Sequence, residues 1–257
     1  MKNNFFAVMV ICNKKIGDSA TYQSLESCPE INLTVCDNST EDYGNRQAVK
    51  EGVNYISMGG NFGLAKAYNK ALDLLIGKDG YVCIFDDDTE LGREYFELLD
   101  AEIEKTKADI LLPVVNDSVG IMSPCRIDGV ITHRISSVDE LDSQNISGIN
   151  SGMAIKTTVF ENYRYDENYF LDFIDHAFLR DMKKAGKSIA VAESVSLKQS
   201  FSANDKDVRK AKNRFEIFKK DYLNFCKNAN SADALFKGKL YLLKRWFNIN
   251  VIYRITG

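Results

Sequence analysis

Three consecutive carboxylates, Asp86-Asp87-Asp88, follow the apolar run Tyr81–Phe85. Adjacent anions at the end of a buried strand repel one another, and a divalent cation relieves that cost. Mg²⁺ and Mn²⁺ favour carboxylate oxygen and commonly bridge to substrate phosphates. Three earlier apolar runs end in residues of the same kind. Phe5–Cys12 runs into Asn13, Ile31–Cys36 into Asp37-Asn38-Ser39-Thr40, and Tyr55–Met58 into Gly59-Gly60-Asn61-Phe62-Gly63. Each alone reads equally well as a turn or a cap, because Asp, Asn, Ser and Gly are ordinary turn residues. Four such endings in succession are harder to read as turns, since ligands of open parallel sheets bind outside the carboxyl ends of the strands.

The segments that must hold these residues alternate in type. The four runs are short, rich in β-branched and aromatic residues, and bounded by turn residues, so they predict strands. Tyr22–Ser27 and Gly63–Ile76 read as helices; in the second, Leu64, Ala67, Ala71, Leu72, Leu74 and Leu75 recur at spacings near three and four. Tyr95–Lys107 predicts a further helix and Asp109–Val115 a further strand. This alternation implies a mostly parallel sheet with crossover helices. Residues 116–150 are polar and turn-rich, without a clear period. Ser151–Lys156 then predicts a strand, Phe173–Ala185 a helix closed by Gly186, and Ser188–Val191 another strand. From Asp205 onward the pattern is helical and basic.

The 257 residues, 45% hydrophobic and 27% charged, suit a globular α/β chain and exclude a disordered or collagen-like one. No run reaches the ~18 apolar residues of a membrane span. Phe5–Cys12 lacks a small-residue cleavage site and reads as a buried strand rather than a signal peptide. The six cysteines form no C-x-x-C pair, which fits a reduced, cytosolic chain without disulfides or zinc. No G-x-x-x-x-G-K-[ST] occurs, and no G-x-G-x-x-G follows the first strand. A nucleotide here would be held by side chains and a metal rather than by a glycine cradle.

The order Asn13, Asp37-Asn38-Ser39-Thr40, Asn61-Phe62-Gly63-Leu64-Ala65-Lys66-Ala67-Tyr68-Asn69 and Phe85-Asp86-Asp87-Asp88 resembles family 2 glycosyltransferases of the GT-A fold. The resemblance continues through Asn150-Ser151-Gly152-Met153-Ala154, Tyr165-Asp166-Glu167-Asn168-Tyr169-Phe170 and Asp175-His176-Ala177-Phe178. It spans about residues 5–200 and is nearest to bacterial rhamnosyltransferase-like enzymes of surface polysaccharide assembly. It implies a Rossmann-like sheet with flanking helices, a nucleotide-sugar donor, and Mg²⁺ or Mn²⁺ at Asp86 and Asp88. By the same resemblance, Asp37 accepts from the donor's pyrimidine, Cys12 and Asn13 lie at its base, and Asn38, Asn61, Lys66 and Asp87 line the nucleotide site. Lys66 reads equally as a solvated helix residue. Asp175 matches the general base, with Asp172 in reserve, although Asp is also a favoured helix N-cap. Ser151, Gly152 and His176 fall on the acceptor side. The sequence departs from the pattern at Cys12, where Tyr is commoner, at Ala177, where a second acid often stands, and at Lys198-Gln199, where many members carry a histidine.

These readings divide the chain into a nucleotide-sugar half (1–115), an acceptor and catalytic half (116–204) and a C-terminal basic helical extension (205–257). Residues 1–205 carry a balance of −12 and residues 206–257 one of +9. Leu240, Leu243, Trp246 and Phe247 share a helical face with Lys239, Lys244 and Arg245 off it. Such a helix either lies in a membrane interface or packs on its own domain or on a second copy as a homodimer. The expected activity is inverting transfer to a glycan or lipid-diphosphate-linked acceptor, in the cytoplasm or on the inner face of the bacterial membrane. dTDP-rhamnose is the first expected donor, with UDP-galactofuranose or a UDP-hexose next. A sugar-phosphate nucleotidyltransferase, an inactive GT-A scaffold and a binding module remain open. Nucleic acid is not an expected partner, because the acidic body and motif-free tail do not suit it.

Overall fold

Every residue of the first strand, β1 (Phe5–Ile11), is buried, so both faces of the sheet must be covered. The computed structural model describes residues 1–199, 208–229 and 231–252; Ser200 and the expected boundary at 204–205 lie outside them. After β1 come α1 (Ala20–Leu25), β2 (Asn32–Asp37), α2 (Asn45–Ala48), β3 (Asn54–Ser57), α3 (Leu64–Asp73), β4 (Tyr81–Phe85), α4 (Tyr95–Thr106) and β5 (Ile110–Asp117). Four short strands follow: β6 (Gly120–Ser123), β7 (Cys125–Asp128), β8 (Ile131–His133) and β9 (Ile146–Ser147). The chain continues with β10 (Met153–Lys156), α5 (Ile174–Lys184), β11 (Ile189–Lys198), α6 (Val208–Lys227) and α7 (Ala234–Phe247).

The main sheet has the order β11-β5-β10-β4-β1-β2-β3, with β6 paired to β5. β1, β2, β3, β4, β5 and β11 run in one direction, and β10 is inserted antiparallel between β4 and β5. Alternate side chains divide the core between the two faces. Phe6, Val8 and Val10 point toward α3, α5 and α6, whereas Phe5, Ala7, Met9 and Ile11 point toward α1 and α4. Residues 116–150, without period in the sequence, form β6 and a small antiparallel sheet of order β8-β7-β9. Among the described residues no helix is long and apolar enough to cross a membrane.

Helix α6 is built into this core. Phe215, Phe218, Tyr222 and Phe225 are buried and recur at helical spacing. Phe173, the residue before α5, takes a left-handed backbone (φ 61°), which a bulky side chain seldom adopts. Its ring packs on Phe218, Tyr222 and Phe225, with centroids 5.6, 4.8 and 5.0 Å away. These contacts offset the strained turn and fix where α5 begins. Asp221 of α6 is fully buried, and the backbone N–H groups of Phe170, Leu171 and Asp172 donate to its carboxylate at 3.1, 2.8 and 2.9 Å. One carboxylate thereby holds the loop that leads into α5.

Removing that acceptor strands three amides, each costing roughly 1 kcal/mol or more. Asp221→Ala should therefore lose about 3 kcal/mol in urea denaturation. Asp221→Asn, which keeps one acceptor oxygen, should lose less. Wild-type stability in both variants would contradict this anchoring.

Candidate active site

A cleft of about 460 Å³ opens at the carboxyl edge of the sheet. Its floor is Asp86, Asp87 and Asp88, just past β4, together with Cys12 past β1. Asn38 and Asn61 form one wall. Phe170 and Leu171, from the loop before α5, form the other, with Gln199 past β11 and Arg214 of α6. The two walls meet where Leu64 N–H donates to the Phe170 carbonyl at 2.7 Å. Gly63 (φ 89°) permits that approach, since a Cβ there would stand 2.7 Å from the same oxygen.

The backbone of the carboxylate loop is pinned by the start of α1. Ser19 Oγ donates to the Asp87 carbonyl at 2.7 Å, and Thr21 Oγ1 donates to the Asp86 carbonyl. The three side chains then meet different partners. Asp87 is paired with Lys14, Oδ2 to Nζ 2.9 Å. Asp86 and Asp88 converge on one amide: Gln199 Nε2 donates to Asp86 Oδ2 at 3.1 Å and to Asp88 Oδ1 at 3.3 Å. The amide oxygen of Gln199 is buried and has no hydrogen-bond partner among the described residues. Burial, then the charge of Asp88, pushes the Asp86 carboxyl up to about 7, and the charge of Asp175 adds to the rise. Asp88 is raised as well, by burial and then by Asp87.

Other expected donor residues sit around this floor with distinct tasks. Asn38 is almost wholly buried and shapes the Asn61–Gly63 turn, accepting from Phe62 N at 3.0 Å and donating to the Gly63 carbonyl at 3.2 Å. Asn61 Nδ2 lies 3.4 Å from the Cys12 sulfur, which burial and the charges of Asp37 and Asp87 keep protonated. Asn13 is at the rim, where its side-chain oxygen accepts from Thr40 N and Oγ1 at 2.9 and 3.0 Å. Asp37 stands apart from the cleft, accepting from Ser39 N (2.9 Å), Asn45 Nδ2 (2.8 Å) and the Tyr55 hydroxyl (2.7 Å). Burial raises its carboxyl, but the bonds from Ser39, Tyr55 and Asn45 outweigh burial and hold it below the usual range. Lys66 is exposed on α3, its ammonium 5.8 Å from the Phe62 ring centre.

The residues expected on the acceptor side separate. Asp172 is held by both guanidinium nitrogens of Arg214, Nη2 to Oδ1 at 2.7 Å. Asp175 lies in the first turn of α5, where Oδ1 accepts from His176 N at 2.7 Å. His176 turns away from the cleft. Successive helix residues point about 100° apart, and His176 Nδ1 meets Ser147 Oγ at 2.7 Å, beside a second cavity. Ser151 and Gly152 are packed beneath the cleft. The Ser151 hydroxyl is bonded to Thr89 Oγ1 at 2.6 Å, and a Cβ on Gly152 would come within 2.4 Å of Leu197. Arg214, Asp221 and the Ser19–Thr21 pair are site residues that the sequence reading missed. The helical stripe Phe215, Phe218, Tyr222 and Phe225 is the signal that could have located α6 at the cleft.

Asp86 carries a measurable consequence. Its carboxyl binds a proton more tightly in the folded than in the unfolded chain, so its stabilising effect is complete below about pH 4 and lost as pH rises through about 7. In metal-free buffer at pH 8, Asp86→Asn should be more stable than wild type by up to ~4 kcal/mol. That advantage should vanish near pH 4, as thermal denaturation at the two pH values would show.

Residues 15–133 match the sequence profile of Glycosyl transferase family 2. A search of curated protein sequences returns no match. Among solved structures, S. aureus TarS 1–349 aligns over 96% of this chain and 72% of its own, with TM-score 0.54 and 17% identity. Its complex with UDP-GlcNAc aligns over 95% and 73%, with TM-score 0.54 and 16% identity. GalNAc-T7, solved with UDP, GalNAc and Mn²⁺, aligns over 99% and 57%, with TM-score 0.59 and 15% identity. At these identities the likeness is one of fold. With the profile match over the α1–β8 region and the carboxylate-floored cleft at the sheet edge, this chain resembles family 2 glycosyltransferases and has a fold of the GT-A type.

Proposed function

We propose that the chain transfers a sugar, with inversion, from a nucleoside-diphosphate donor in the cleft to an acceptor hydroxyl. The observation that carries this reading is the pair Asp86 and Asp88, two partly buried like charges converging on a single polar group. That arrangement costs stability unless a cation joins it. The residues fit Mg²⁺ or Mn²⁺: two carboxylates and the Gln199 oxygen, which has no partner among the described residues, are hard donors. Among the described residues no three His, Cys, Asp or Glu side chains form a metal site on their own. Asp88 and Asp86 would therefore hold the ion together with donor phosphate and water. When bound, the ion supplies charge neutralisation for the departing nucleoside diphosphate.

The chain's own groups then divide the work. Asn61 and Cys12 border the base, and Phe170 and Leu171 exclude water from the opposite wall. Asp175 is the favoured base, because its Oδ2 has no hydrogen-bond donor among the described residues, whereas Asp172 would compete with its own Arg214 pair. The proton leaves the acceptor hydroxyl for Asp175 as the oxygen attacks the anomeric carbon and the diphosphate departs. dTDP-rhamnose is the first donor to test, by the resemblance in sequence. UDP-sugars follow, since TarS and GalNAc-T7 were solved with UDP.

The acceptor is proposed to be borne by a lipid at an anionic membrane surface. Phe236, Leu240, Leu243 and Phe247 stand on one face of α7 and are 66, 52, 62 and 51% exposed. Lys237, Lys239 and Lys244 flank that face, whereas Arg245 packs on the Phe218 ring of α6, 3.8 Å from its centre. An apolar stripe with cationic borders suits a lipid interface, where each cation adds about 1 kcal/mol.

A rise in melting temperature with dTDP or UDP that requires Mn²⁺ and is lost in Asp88→Ala is the expected result; no rise with any nucleotide would sink the proposal. Asp175→Asn should keep that rise while activity falls by roughly 10²–10⁴-fold. Wild type should sediment with phosphatidylglycerol vesicles, and Leu240→Glu/Leu243→Glu should not. Equal sedimentation of both would remove α7 from the membrane reading.

A further inference from the structure

Helix α5 has a second face, and the cations on it are not used by the cleft. His176, Arg180, Lys183 and Lys184 follow one another at spacings that place them along one side of the helix. Gly186 (φ 70°) then ends the helix, with Gly186 N donating to the Lys183 carbonyl at 3.1 Å and Lys187 N to the Met182 carbonyl at 3.0 Å. That turn folds Lys187 back beside Lys183 and Lys184. The five residues share a cavity of about 460 Å³ with Ser143 and Gln144, and no carboxylate is among its lining residues.

Part of this charge serves the fold. A helix C-terminus carries roughly half a negative charge, which one or two cations offset. Lys183 donates to the Gln144 and Ile146 carbonyls, both at 2.9 Å, and Arg180 Nη1 donates to the Phe225 carbonyl at 3.0 Å. Asp181 Oδ1 lies 3.6 Å from Arg180 Nε. Lys184 and Lys187 have no ion-pair partner within 4.0 Å among the described residues. Four cations in one concavity therefore exceed what the helix end requires. The surplus matches a multiply charged anion, and the volume exceeds that of one phosphate. His176 forms the wall on the side of Asp175, its Nε2 4.0 Å from Asp175 Oδ1.

We propose that this cavity binds the diphosphate of the acceptor, on the opposite side of α5 from the donor cleft. Its assignment to the acceptor rests on the transferase reading; the binding of a diphosphate does not. The probe is inorganic pyrophosphate, titrated calorimetrically into the full chain in EDTA, so that the carboxylate cleft cannot recruit it through a metal. Lys184→Ala/Lys187→Ala should weaken binding by about tenfold or more. The melting temperature and the Mn²⁺-dependent nucleotide response should stay at wild-type values. Absence of pyrophosphate binding, or binding indifferent to the two substitutions, would overturn the inference. Lysine-dependent pyrophosphate binding without any nucleotide response would instead overturn the transferase reading and leave the anion site standing. Geranyl diphosphate separates the sources, tighter binding than pyrophosphate meaning a lipid-borne diphosphate and equal binding a sugar-borne or free one. Lysine-dependent binding to phosphatidylglycerol vesicles that pyrophosphate does not compete away would mean a merely electrostatic surface, and would also overturn the site.

Discussion

Three adjacent carboxylates at the end of a wholly buried strand are the costliest feature of this molecule, and its architecture answers that cost. Lys14 neutralises Asp87, the Gln199 amide bridges Asp86 and Asp88, and hydroxyls from Ser19 and Thr21 fix the backbone between them. The remaining repulsion shows in the raised carboxyls of Asp86 and Asp88. A fold that selected only for stability would replace such a pair by apolar or singly charged residues. Keeping it makes sense where a cation and a phosphate-bearing ligand complete the site.

The second dependence runs through α6. Asp221 gathers three backbone amides, Arg214 takes Asp172, and three aromatic rings cover Phe173 in its left-handed turn. Together they set the wall of the cleft and the first turn of α5, which carries Asp175. The carboxyl-terminal region therefore shapes the site from within the same core. Its outer helix α7 leaves an apolar face open, and α5 presents cations on the side away from the donor cleft. Donor, acceptor and membrane readings thus meet on the three helices α5, α6 and α7.

The strands β1 to β4 and the residues at their ends were legible in the sequence, because short runs of β-branched and aromatic residues between turn residues leave a strong local pattern, even in β3, which is only partly buried. The small sheet of β7, β8 and β9 was not, since strands of two to four residues are too short to show a period. The docking of α6 was hidden by its charge: thirteen cations in residues 206–257 drew attention from one apolar stripe and one buried Asp221. Side-chain direction was the hardest to read. Asp175 and His176 are neighbours in sequence, yet His176 lines the second cavity and bonds Ser147, whereas Asp175 is among the lining residues of neither that cavity nor the cleft. Ser151 and Gly152 carry residue types that suit a ligand, yet the insertion of β10 between β4 and β5 buries them.

The central claim is that Asp86 and Asp88 hold a divalent cation beside a nucleoside diphosphate. Anomalous diffraction from crystals grown with Mn²⁺ and UDP or dTDP tests it directly. The account predicts one strong manganese peak bound by Asp88, with Asp86 adjacent, and nucleotide density running from it toward Cys12 and Asn61. A nucleotide bound elsewhere, or manganese absent from these carboxylates while nucleotide fills the cleft, would contradict it.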